Sequence, residues 1–506
     1  MTVLYADREQ DKAMDRRRWW ILLVLSGCLL MVAMDATILN VALPKLVNEL
    51  NLSSLEQLWI VNAYALVLSG LLITMGAIGD RTGRRRVLCI GLVVFGTASL
   101  IPALWPNPAA LIFARGMLGL GGAMIMPSTL SLIRNVFTDT RERTLALAIW
   151  ATLATVGAAV GPVLGGFLVE KFHWNAAFLV NVPVVVVCVI GALALIPESF
   201  TPAAGGWDWW SVALSCLGLV ALVQGIKMTG KQGLLGWQSL PMILLGVVLL
   251  TVFVRRQLRQ RDPLLDVRLF GSRAFSVGVA VYMLGMFGMG AVMFLLTQWL
   301  QFVQGRSPLS AGLTLLPSPI AALTAAVLLP RVLDRIPART IMAFGMALLG
   351  VALLVPALVP DPNSLVTGIS LAAMGFGVSS ALVSAAVVIM SFAPAERAGG
   401  AASIQETCYE LGNVLGIAIL GSATIGLYRR WLDLPDGLSP GTVDTAHESI
   451  GSAVGLPDAA VTAAARDSFT SAFSVTGAVT GVFMLAVAVV VYLLVPPVKA
   501  ADAATH

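Results

Sequence analysis

Three carboxylates lie inside long apolar stretches of this sequence, where a charge is costly. Asp35 stands in MVAMDATILNVALP, residues 31–44, and Glu406 and Glu410 stand in AASIQETCYELGNVLG, residues 401–416. A charged side chain at the centre of a bilayer costs roughly 2.5–3.5 kcal/mol on insertion scales. These three residues are therefore functional candidates, and the chemistry open to a carboxylate there is the reversible uptake of a proton or a cation.

The spacing of the two glutamates places them together. Glu410 follows Glu406 by four residues, so both lie on one face of a helix. Asn413 continues the same stripe, and Tyr409 lies beside it. We expect this face to line a polar site within the membrane.

Asp35 is predicted to lack a permanent basic partner. Arg115 is the one base inside a predicted span, and it lies near one end of its helix. A lone carboxylate in hydrocarbon is neutral when protonated and becomes charged when water or a cation reaches it. Competition of a proton and a cationic substrate for such a group produces antiport, and the proton-motive force supplies about 2.3 kcal/mol per charge per 100 mV.

Aromatic and methionine side chains could complete a site for lipophilic cations. Aromatic faces attract cations, and methionine offers an adaptable apolar wall. Membrane helices also carry interfacial Trp and Tyr, so a structural role is the alternative for each. The predicted pocket residues are Trp59, Asn62, Tyr64, Trp150, Met286, Met289, Trp299, Tyr409 and Asn413.

The elements that position these residues are membrane-spanning helices. Of the 506 residues, 58% are apolar and 12% are charged, and the mean hydropathy is +0.88. Apolar runs long enough to cross a hydrocarbon core of about 30 Å recur along the whole chain. The sequence predicts an all-α membrane protein with fourteen spans, at about 19–43, 57–78, 87–105, 109–133, 145–169, 176–196, 209–226, 240–254, 274–303, 310–330, 340–359, 365–391, 400–428 and 470–495.

The distribution of basic residues fixes the predicted orientation. Most of the 32 basic residues fall on one side of the fourteen predicted spans, and this side is cytoplasmic by the positive-inside rule. Both termini are then cytoplasmic in a cell inner membrane, and Lys227 falls in a loop on the outer side. The sequence pI near 9.1 reflects this topology and not a nucleic-acid partner. The scattered cysteines and histidines predict no metal site, and a monomer in the lipid bilayer is expected.

A short internal similarity indicates two related halves. GAIGDRTGRRR at 76–86 and PRVLDRIPART at 330–340 follow corresponding predicted helices, and transporters are often built from such repeats. The predicted arrangement is 6 + 2 + 6 helices. Its parts are a cytoplasmic tail at 1–18, an N-terminal six-helix half at 19–196, two peripheral inserted helices at 197–256, a cytoplasmic linker at 257–273, a C-terminal six-helix half at 274–495 with an extracellular loop at 431–468, and a cytoplasmic tail at 496–506.

The stretch GAAVGPVLGG, residues 157–166, combines small residues with a proline. Gly157, Gly161 and Gly165 recur every four residues, which lets another backbone approach closely. Pro162 removes a helix hydrogen bond and permits a bend. We expect a hinge between two moving bundles here, and close packing alone is the alternative.

These motifs resemble those of the major facilitator superfamily. GAIGDRTGRRR is similar to its cytoplasmic loop signature, LIFARGMLGLGGAM to its fourth-helix motif and GAAVGPVLGG to its fifth-helix antiporter motif. MDATILNVALP, LWIVNAYALVLSG and AASIQETCYELGNVLG resemble the fourteen-helix drug:proton antiporter branch, in particular QacA-type exporters of quaternary ammonium compounds and dyes.

The resemblance implies a major facilitator fold and roles for individual residues. Asp35, Glu406 and Glu410 would serve proton coupling or cation recognition, and Arg115 would serve proton transfer or gating. The loop signature, with Gly76, Asp80, Arg81, Gly83 and Arg84, would form a cytoplasmic latch. The connection at about 431–468 would be an extracellular helical element over the outer mouth. No cofactor is implied beyond the proton-motive force.

Three positions depart from the QacA-type pattern. Asn62, Ala322 and Gln405 are neutral where such exporters can carry acids. Because those acids can serve substrates with two positive charges, we expect monovalent lipophilic cations to be the better substrates.

Other functions remain open at this stage. An exporter of a natural metabolite or antibiotic would carry the same motifs. A proton symporter fits the antiporter motif less well, and a membrane enzyme would need a nucleophile or metal constellation that the sequence does not show. A channel or receptor would not need a protonatable group at this depth.

Overall fold

The computed structural model describes residues 2–199, 208–232, 236–260, 263, 265–359, 364–392 and 398–497, nearly all of them in helices. The helices are α1 (Thr2–Leu50), α2 (Ser54–Thr82), α3 (Arg84–Leu104), α4 (Pro108–Val136), α5 (Thr140–Lys171), α6 (Ala176–Leu179), α7 (Asn181–Leu195), α8 (Trp209–Gln232), α9 (Ser239–Arg259), α10 (Arg273–Gln298), α11 (Pro308–Leu315), α12 (Pro317–Leu333), α13 (Ala338–Leu358), α14 (Ser364–Phe392), α15 (Ala398–Trp431), α16 (Pro440–Glu448), α17 (Ile450–Val454) and α18 (Ala459–Leu494). A 3-10 turn at Val267–Gly271 precedes α10, and a π-helical turn at Trp299–Val303 extends it.

The prediction of fourteen membrane spans is confirmed. Within the described part of the chain, 14 helical segments are long and apolar enough to cross a membrane. The largest difference is the last span, which begins at Ala459 and not near residue 470. Its first turns carry charged residues that the hydropathy pattern assigned to a loop. Arg466 is accommodated there because its Nε donates to the carbonyl oxygen of Phe302 at 3.0 Å.

The spans can be grouped by the helices that they contact. Helices α1–α7 pack on one another, as do α10–α15 with α18, and α8 packs against α9. We call the first group the N bundle, the second the C bundle and α8–α9 the inserted pair. The inserted pair contacts both bundles, because α8 lies against α2 and α15.

The two bundles are in close contact where α1 ends and α2 begins, which we call the closed face. Gln301 donates to the carbonyl oxygen of Val41 at 3.0 Å. A Cβ atom on Gly166 of α5 would lie 2.5 Å from the carbonyl oxygen of Pro308 of α11. The segment with α16 and α17 also contacts the closed face, because Glu448 accepts from the backbone N–H of Ser54 at 3.2 Å.

The glycines of the fifth-helix motif bring α5 directly onto α1. Gly157, Gly161 and Gly165 each face a backbone carbonyl of α1, and a Cβ atom on Gly157 would lie 2.5 Å from that of Leu30. The close approach expected from the sequence is therefore present, whereas the hinge remains a prediction. This packing holds the helix that carries Asp35 against α5.

A carboxylate at the start of α8 joins the two helices of the inserted pair. Asp208 accepts from Arg256 of α9 at 2.9 Å and from the backbone N–H of Ser211 at 3.1 Å, and it also accepts from Gln260. Desolvation alone would raise the pKa of Asp208, but these hydrogen bonds outweigh it and hold the pKa below its ordinary value. These contacts therefore favour the ionised carboxylate in the assembled pair.

We expect Asp208→Ala to destabilise the assembled pair more than Asp208→Asn. Asparagine keeps the helix N-cap, whereas alanine loses the cap, worth about 1 kcal/mol, together with the contact to Arg256. Because the folded-state pKa is depressed, this stabilisation is present above the ordinary pKa of about 4 and is lost as pH falls through the folded value. Unfolding in mixed micelles between pH 8 and pH 3 checks this. A stability gap between wild type and Asp208→Asn that stays constant down to pH 3 would contradict it.

Candidate transport site

Asp35 lies in the core of the N bundle with a basic partner. Nη1 of Arg115 is 2.7 Å from Oδ2 of Asp35, and the two side chains are 2% and 1% exposed. Asn181 of α7 donates to Oδ1 of Asp35 at 2.8 Å. The expectation of a lone Asp35 is therefore wrong. Arg115 does lie near one end of α4, but its long side chain reaches across the packed helices to α1.

Arg115 also binds α2. Its Nε donates to the carbonyl oxygen of Ile60 at 3.1 Å, and its guanidinium carbon lies 4.6 Å from the centre of the Tyr64 ring. Gly119 makes the approach of α4 to α2 possible, because a Cβ atom there would collide with the carbonyl oxygen of Tyr64. A buried ion pair is tolerated only where further hydrogen bonds satisfy its members. Here α1, α2, α4 and α7 all supply such contacts.

Asn181 is a site residue that the sequence reasoning missed. It begins α7 after a break in the sixth span, and its Nδ2 also lies 3.3 Å from Oγ of Ser99 on α3. The available signal was an amide side chain in the otherwise apolar run FLVNVPVV. An amide in that setting must have a partner, and Asp35 is the partner.

Glu406 and Glu410 differ from Asp35 in their surroundings. Both lie on α15 and are half-buried. Among the residues that the structure describes, no Lys or Arg side chain comes within 4 Å of either carboxylate. The two carboxylates lie one helical turn apart on α15, and α15 packs against α2, the helix that carries Tyr64. Tyr64 therefore belongs to a helix that contacts both Arg115 and the helix of the glutamates.

Asn62 and Asn413 lie where α2 meets α15. Asn62 donates to the carbonyl oxygen of Val414 at 3.4 Å. The side chain of Asn413 fills the space above Gly290 of α10, where a Cβ atom would collide with it. Asn62 therefore lies at the boundary between the bundles, whereas the side chain of Asn413 points towards α10 within the C bundle.

The remaining predicted pocket residues are distributed over several places. Tyr409 is half-buried next to the glutamates, and Met286 and Met289 lie on α10, buried and half-buried. Trp150 donates to Thr129 of α4 at 3.3 Å. Trp299 donates to Thr470 at 3.2 Å and lines a small apolar cavity within the C bundle, between α10, α13, α14 and α18. The residues that line this cavity do not include Glu406, Tyr409 or Glu410.

Trp59 contacts two residues of the inserted pair. Its Nε1 donates to Oε1 of Gln224 at 2.7 Å, and the ammonium of Lys227 lies 3.7 Å from the ring centre. Lys227 is 2% exposed. The expectation that Lys227 lies in a loop is wrong, since α8 continues beyond it and buries it against α2.

Glu198, which the sequence analysis did not single out, contacts the loop signature at 76–86. Asp80 and Arg84 form an ion pair at 2.7 Å. Gly83 has φ of +118°, which favours glycine, and a Cβ atom there would lie 2.8 Å from the carboxyl group of Glu198. Glu198 accepts from the backbone N–H of Arg85 at 3.0 Å. Glu198, in the segment after the sixth span, thus offsets part of the positive charge of this loop.

The fold and the site define a polytopic membrane transporter, with buried carboxylates inside a fourteen-span helical protein. The Major Facilitator Superfamily model matches residues 25–417, and the chain belongs to that family.

Its relatives are drug exporters and resistance proteins. The chain is 38% identical to "Multidrug efflux pump LfrA" of Mycolicibacterium smegmatis, over 94% of this chain and 96% of that protein. It is 35% identical to "Methyl viologen resistance protein SmvA" of Salmonella typhimurium, over 94% and 97%. It is 32% identical to "Puromycin resistance protein pur8" of Streptomyces alboniger, over 87% and 90%.

Solved transporters share the fold at low sequence identity. A bacterial homologue of the human lysosomal transporter Spinster, in an inward-facing and unoccupied conformation, superposes with a TM-score of 0.67 at 16% identity, over 94% of this chain and 97% of that one. A mutant of the peptide transporter POT gives 0.65 at 14% identity, over 94% and 95%. These likenesses support the fold alone.

Proposed function

We propose that this chain is a proton-coupled antiporter that exports lipophilic cationic drugs, antiseptics and dyes across the cytoplasmic membrane. The names of the relatives LfrA and SmvA support drug export as the class of activity. The observation that carries the cationic cargo and the proton coupling is the contrast between the carboxylates. Asp35 is paired, whereas Glu406 and Glu410 are two acids without a basic neighbour among the described residues.

The contrast assigns different tasks to the two sites. An unneutralised pair of carboxylates at the bundle boundary attracts a lipophilic cation and, in its absence, a proton. Aromatic surface from Tyr409 and adaptable surface from Met289 would complete the contact. Asp35 has no room for cargo, because Arg115 and Asn181 occupy both of its oxygens. Its task is to change the charge of the N bundle by taking up a proton.

Tyr64 connects these two tasks. When Asp35 is protonated, the positive charge of Arg115 loses its compensation but stays close to the Tyr64 ring. That charge then disfavours a cation at Glu410, because α2, which carries Tyr64, packs against α15. Proton uptake at Asp35 therefore weakens cargo binding at the glutamates.

The cycle that follows is rocker-switch alternating access, with both termini cytoplasmic. The bundles are held together at the closed face by the contacts of Gln301, Gly166 and Glu448. Cargo enters from the cytosol or the inner leaflet and settles near the glutamates. The bundles then open at the closed face, protons displace the cargo, and the protonated site returns to the more alkaline cytosol.

The preferred charge of the cargo is inferred from three positions with uncharged side chains. Asn62, Ala322 and Gln405 supply no additional acid near the boundary, so monovalent cations remain the expected better substrates. The name of SmvA refers to methyl viologen, which is a dication. A comparison of dicationic and monocationic cargo is therefore informative for this chain.

A second candidate is export of a natural antibiotic, with synthetic drugs as incidental cargo. It is favoured by relatives named "Puromycin resistance protein pur8" and "Tetracenomycin C resistance and export protein". The same carboxylates would then act on a weakly basic or neutral compound.

Energised inside-out vesicles test the proposal. We expect ethidium or tetraphenylphosphonium to dissipate an imposed proton gradient in wild-type vesicles and not in Asp35→Asn vesicles. Puromycin tested in the same vesicles separates the two candidates. A gradient that responds to puromycin but to no lipophilic cation would replace the first candidate with the second, and a response that survives Asp35→Asn would remove Asp35 from the coupling path.

A further inference from the structure

Lys227 is a buried lysine that the proposed transport cycle does not use. Its Nζ donates to the carbonyl oxygen of Leu58 at 3.1 Å and lies 3.7 Å from the centre of the Trp59 ring. Lysine near a membrane surface usually extends its ammonium into the headgroup region. Here the ammonium instead turns inward from the inserted pair onto α2 of the N bundle.

Two further contacts join the same helices. Gln224 accepts from the indole N–H of Trp59 at 2.7 Å. The second contact joins Cys216 to Gly70, because Sγ of Cys216 lies 3.7 Å from the carbonyl oxygen of Gly70. From Cys216 to Lys227 the contacts extend over roughly 16 Å of helix at 1.5 Å per residue.

The contact of α8 with the C bundle is of another kind. Helix α8 packs against α15 at least as extensively as against α2, but over residues 210–229 the hydrogen bonds that leave the inserted pair all end on α2. Apolar contacts within a membrane can be exchanged for lipid contacts at little cost. A buried ammonium that leaves its carbonyl and its aromatic ring has no such replacement.

The position of these contacts matters because α2 and α15 belong to different bundles. The side chain of Leu58 lies 3.0 Å from the Cβ position of Gly421 on α15, while its backbone carbonyl accepts from Lys227. Three helices from the N bundle, the C bundle and the inserted pair therefore meet at one level. When the bundles separate, α8 must stay with one of them.

We propose that the inserted pair is a fixed part of the N bundle, which moves with α2 and slides over α15, and that Lys227 is the positioning residue that fixes it. The proposal rests on the alternating-access cycle described above. It gives the inserted pair a mechanical role at the moving boundary, in contrast to the peripheral position expected from the sequence.

A disulfide between the two helices tests this directly. The Cβ position of Gly70 is 4.0 Å from Cβ of Cys216, within the range of native disulfides. Gly70→Cys can therefore be combined with the natural Cys216 in a background where Cys28, Cys89, Cys188 and Cys408 are replaced by serine. The matched control is Leu58→Cys with Gly421→Cys, closed by a short thiol cross-linker, which joins α2 to α15.

We expect the oxidised Gly70→Cys variant to keep at least half of the transport rate of its reduced form. The cross-linked control should lose transport by roughly tenfold or more, because it joins two units that alternating access must separate. A Gly70–Cys216 disulfide that stops transport as completely as the control would overturn the proposal.

The role of Lys227 has its own readout. Lys227→Met should lower the yield of the Gly70–Cys216 disulfide, and Lys227→Arg should restore it, since arginine can still contact the carbonyl and the ring. An unchanged yield in Lys227→Met would remove Lys227 as the positioning residue.

A distance measurement separates this proposal from the proposed function. Spin labels at the exposed positions Leu217, Val93 and Val479 report on α8, the N bundle and the C bundle. Between pH 5.5 and pH 8, the distance from 217 to 93 should stay constant while that from 217 to 479 changes. The reverse result would overturn the proposal even in a protein that transports no lipophilic cation, whereas absent transport with the expected distances would contradict only the proposed function.

Discussion

Arg115→Met is expected to lower the free energy of unfolding by roughly 3–5 kcal/mol, the usual cost of leaving one member of a buried ion pair without its partner. Asp35 would then stand in the N-bundle core with Asn181 as its one remaining partner among the contacts described for it. Asp35→Leu should have a similar cost, because it leaves the guanidinium of Arg115 uncompensated. Unfolding by sodium dodecyl sulfate in mixed micelles measures both values.

The double variant distinguishes a specific pair from general damage to the core. Asp35→Leu combined with Arg115→Met should recover most of the lost stability, since replacing both members of a buried pair by apolar residues is often neutral. The coupling energy from this double-mutant cycle should therefore be large. A double variant that is as unstable as Arg115→Met would mean that the two side chains are not energetically coupled.

An exposed ion pair on the same helix provides the matched control. Lys45 and Glu49 of α1 lie 3.6 Å apart, and their side chains are 48% and 31% exposed. Such pairs contribute about 0–1 kcal/mol, so Lys45→Met should have little effect. All three variants at Asp35 and Arg115 should lose cation-driven proton release, including the stable double variant. Retained proton release in the double variant would exclude the pair from the proton path.

The Asp35–Arg115 pair also shows what the sequence could and could not predict. Hydropathy placed Asp35 in an apolar span, and the four-residue repeat of glycines placed α5 against a neighbouring backbone. Both inferences depend on local periodicity, which survives folding. The partner of Asp35 depends on how α1 and α4 cross and on the reach of an arginine side chain, and these are tertiary properties.

Lys227 illustrates the same limit at a helix end. It lies one residue beyond the predicted seventh span, and a lysine there is ordinarily assigned to the water interface. Its burial depends on a neighbouring helix with a free aromatic face, Trp59, and an accessible carbonyl oxygen at Leu58. Glu198 likewise became recognisable only once the loop with Gly83 was folded around it.

In the proposed transport cycle, these tertiary contacts move the expected cargo site towards the C bundle. Sequence reasoning treated the three carboxylates as one group around a lone Asp35. Pairing with Arg115 leaves Glu406 and Glu410 as the acids available to a cation. The half-burial of both residues fits this, because cargo must reach them while hydrocarbon still excludes most water.

Glu410→Gln is accordingly expected to raise the KM for ethidium by about thirtyfold or more. Losing one member of a desolvated charge pair costs about 2 kcal/mol or more, and each 1.4 kcal/mol is tenfold in affinity. The Asp35–Arg115 pair is untouched, so the stability of the protein should stay close to wild type. Initial rates of ethidium efflux over a range of concentrations, with unfolding in mixed micelles beside them, measure both effects.

Two further variants test whether the effect of Glu410→Gln depends on the charge of the two glutamates of α15. Tyr409→Phe keeps the aromatic surface and should leave the KM for ethidium within a few-fold of wild type. Gln405→Glu adds an acid where Oε1 of Gln405 is buried without a partner among the described residues, and it should improve export of the dication methyl viologen relative to ethidium. If Glu410→Gln and wild type transport ethidium with the same KM, the cargo does not bind at the glutamates. If Gln405→Glu leaves the ratio of dication to monocation unchanged, the neutral residue at this position does not set the preferred charge of the cargo.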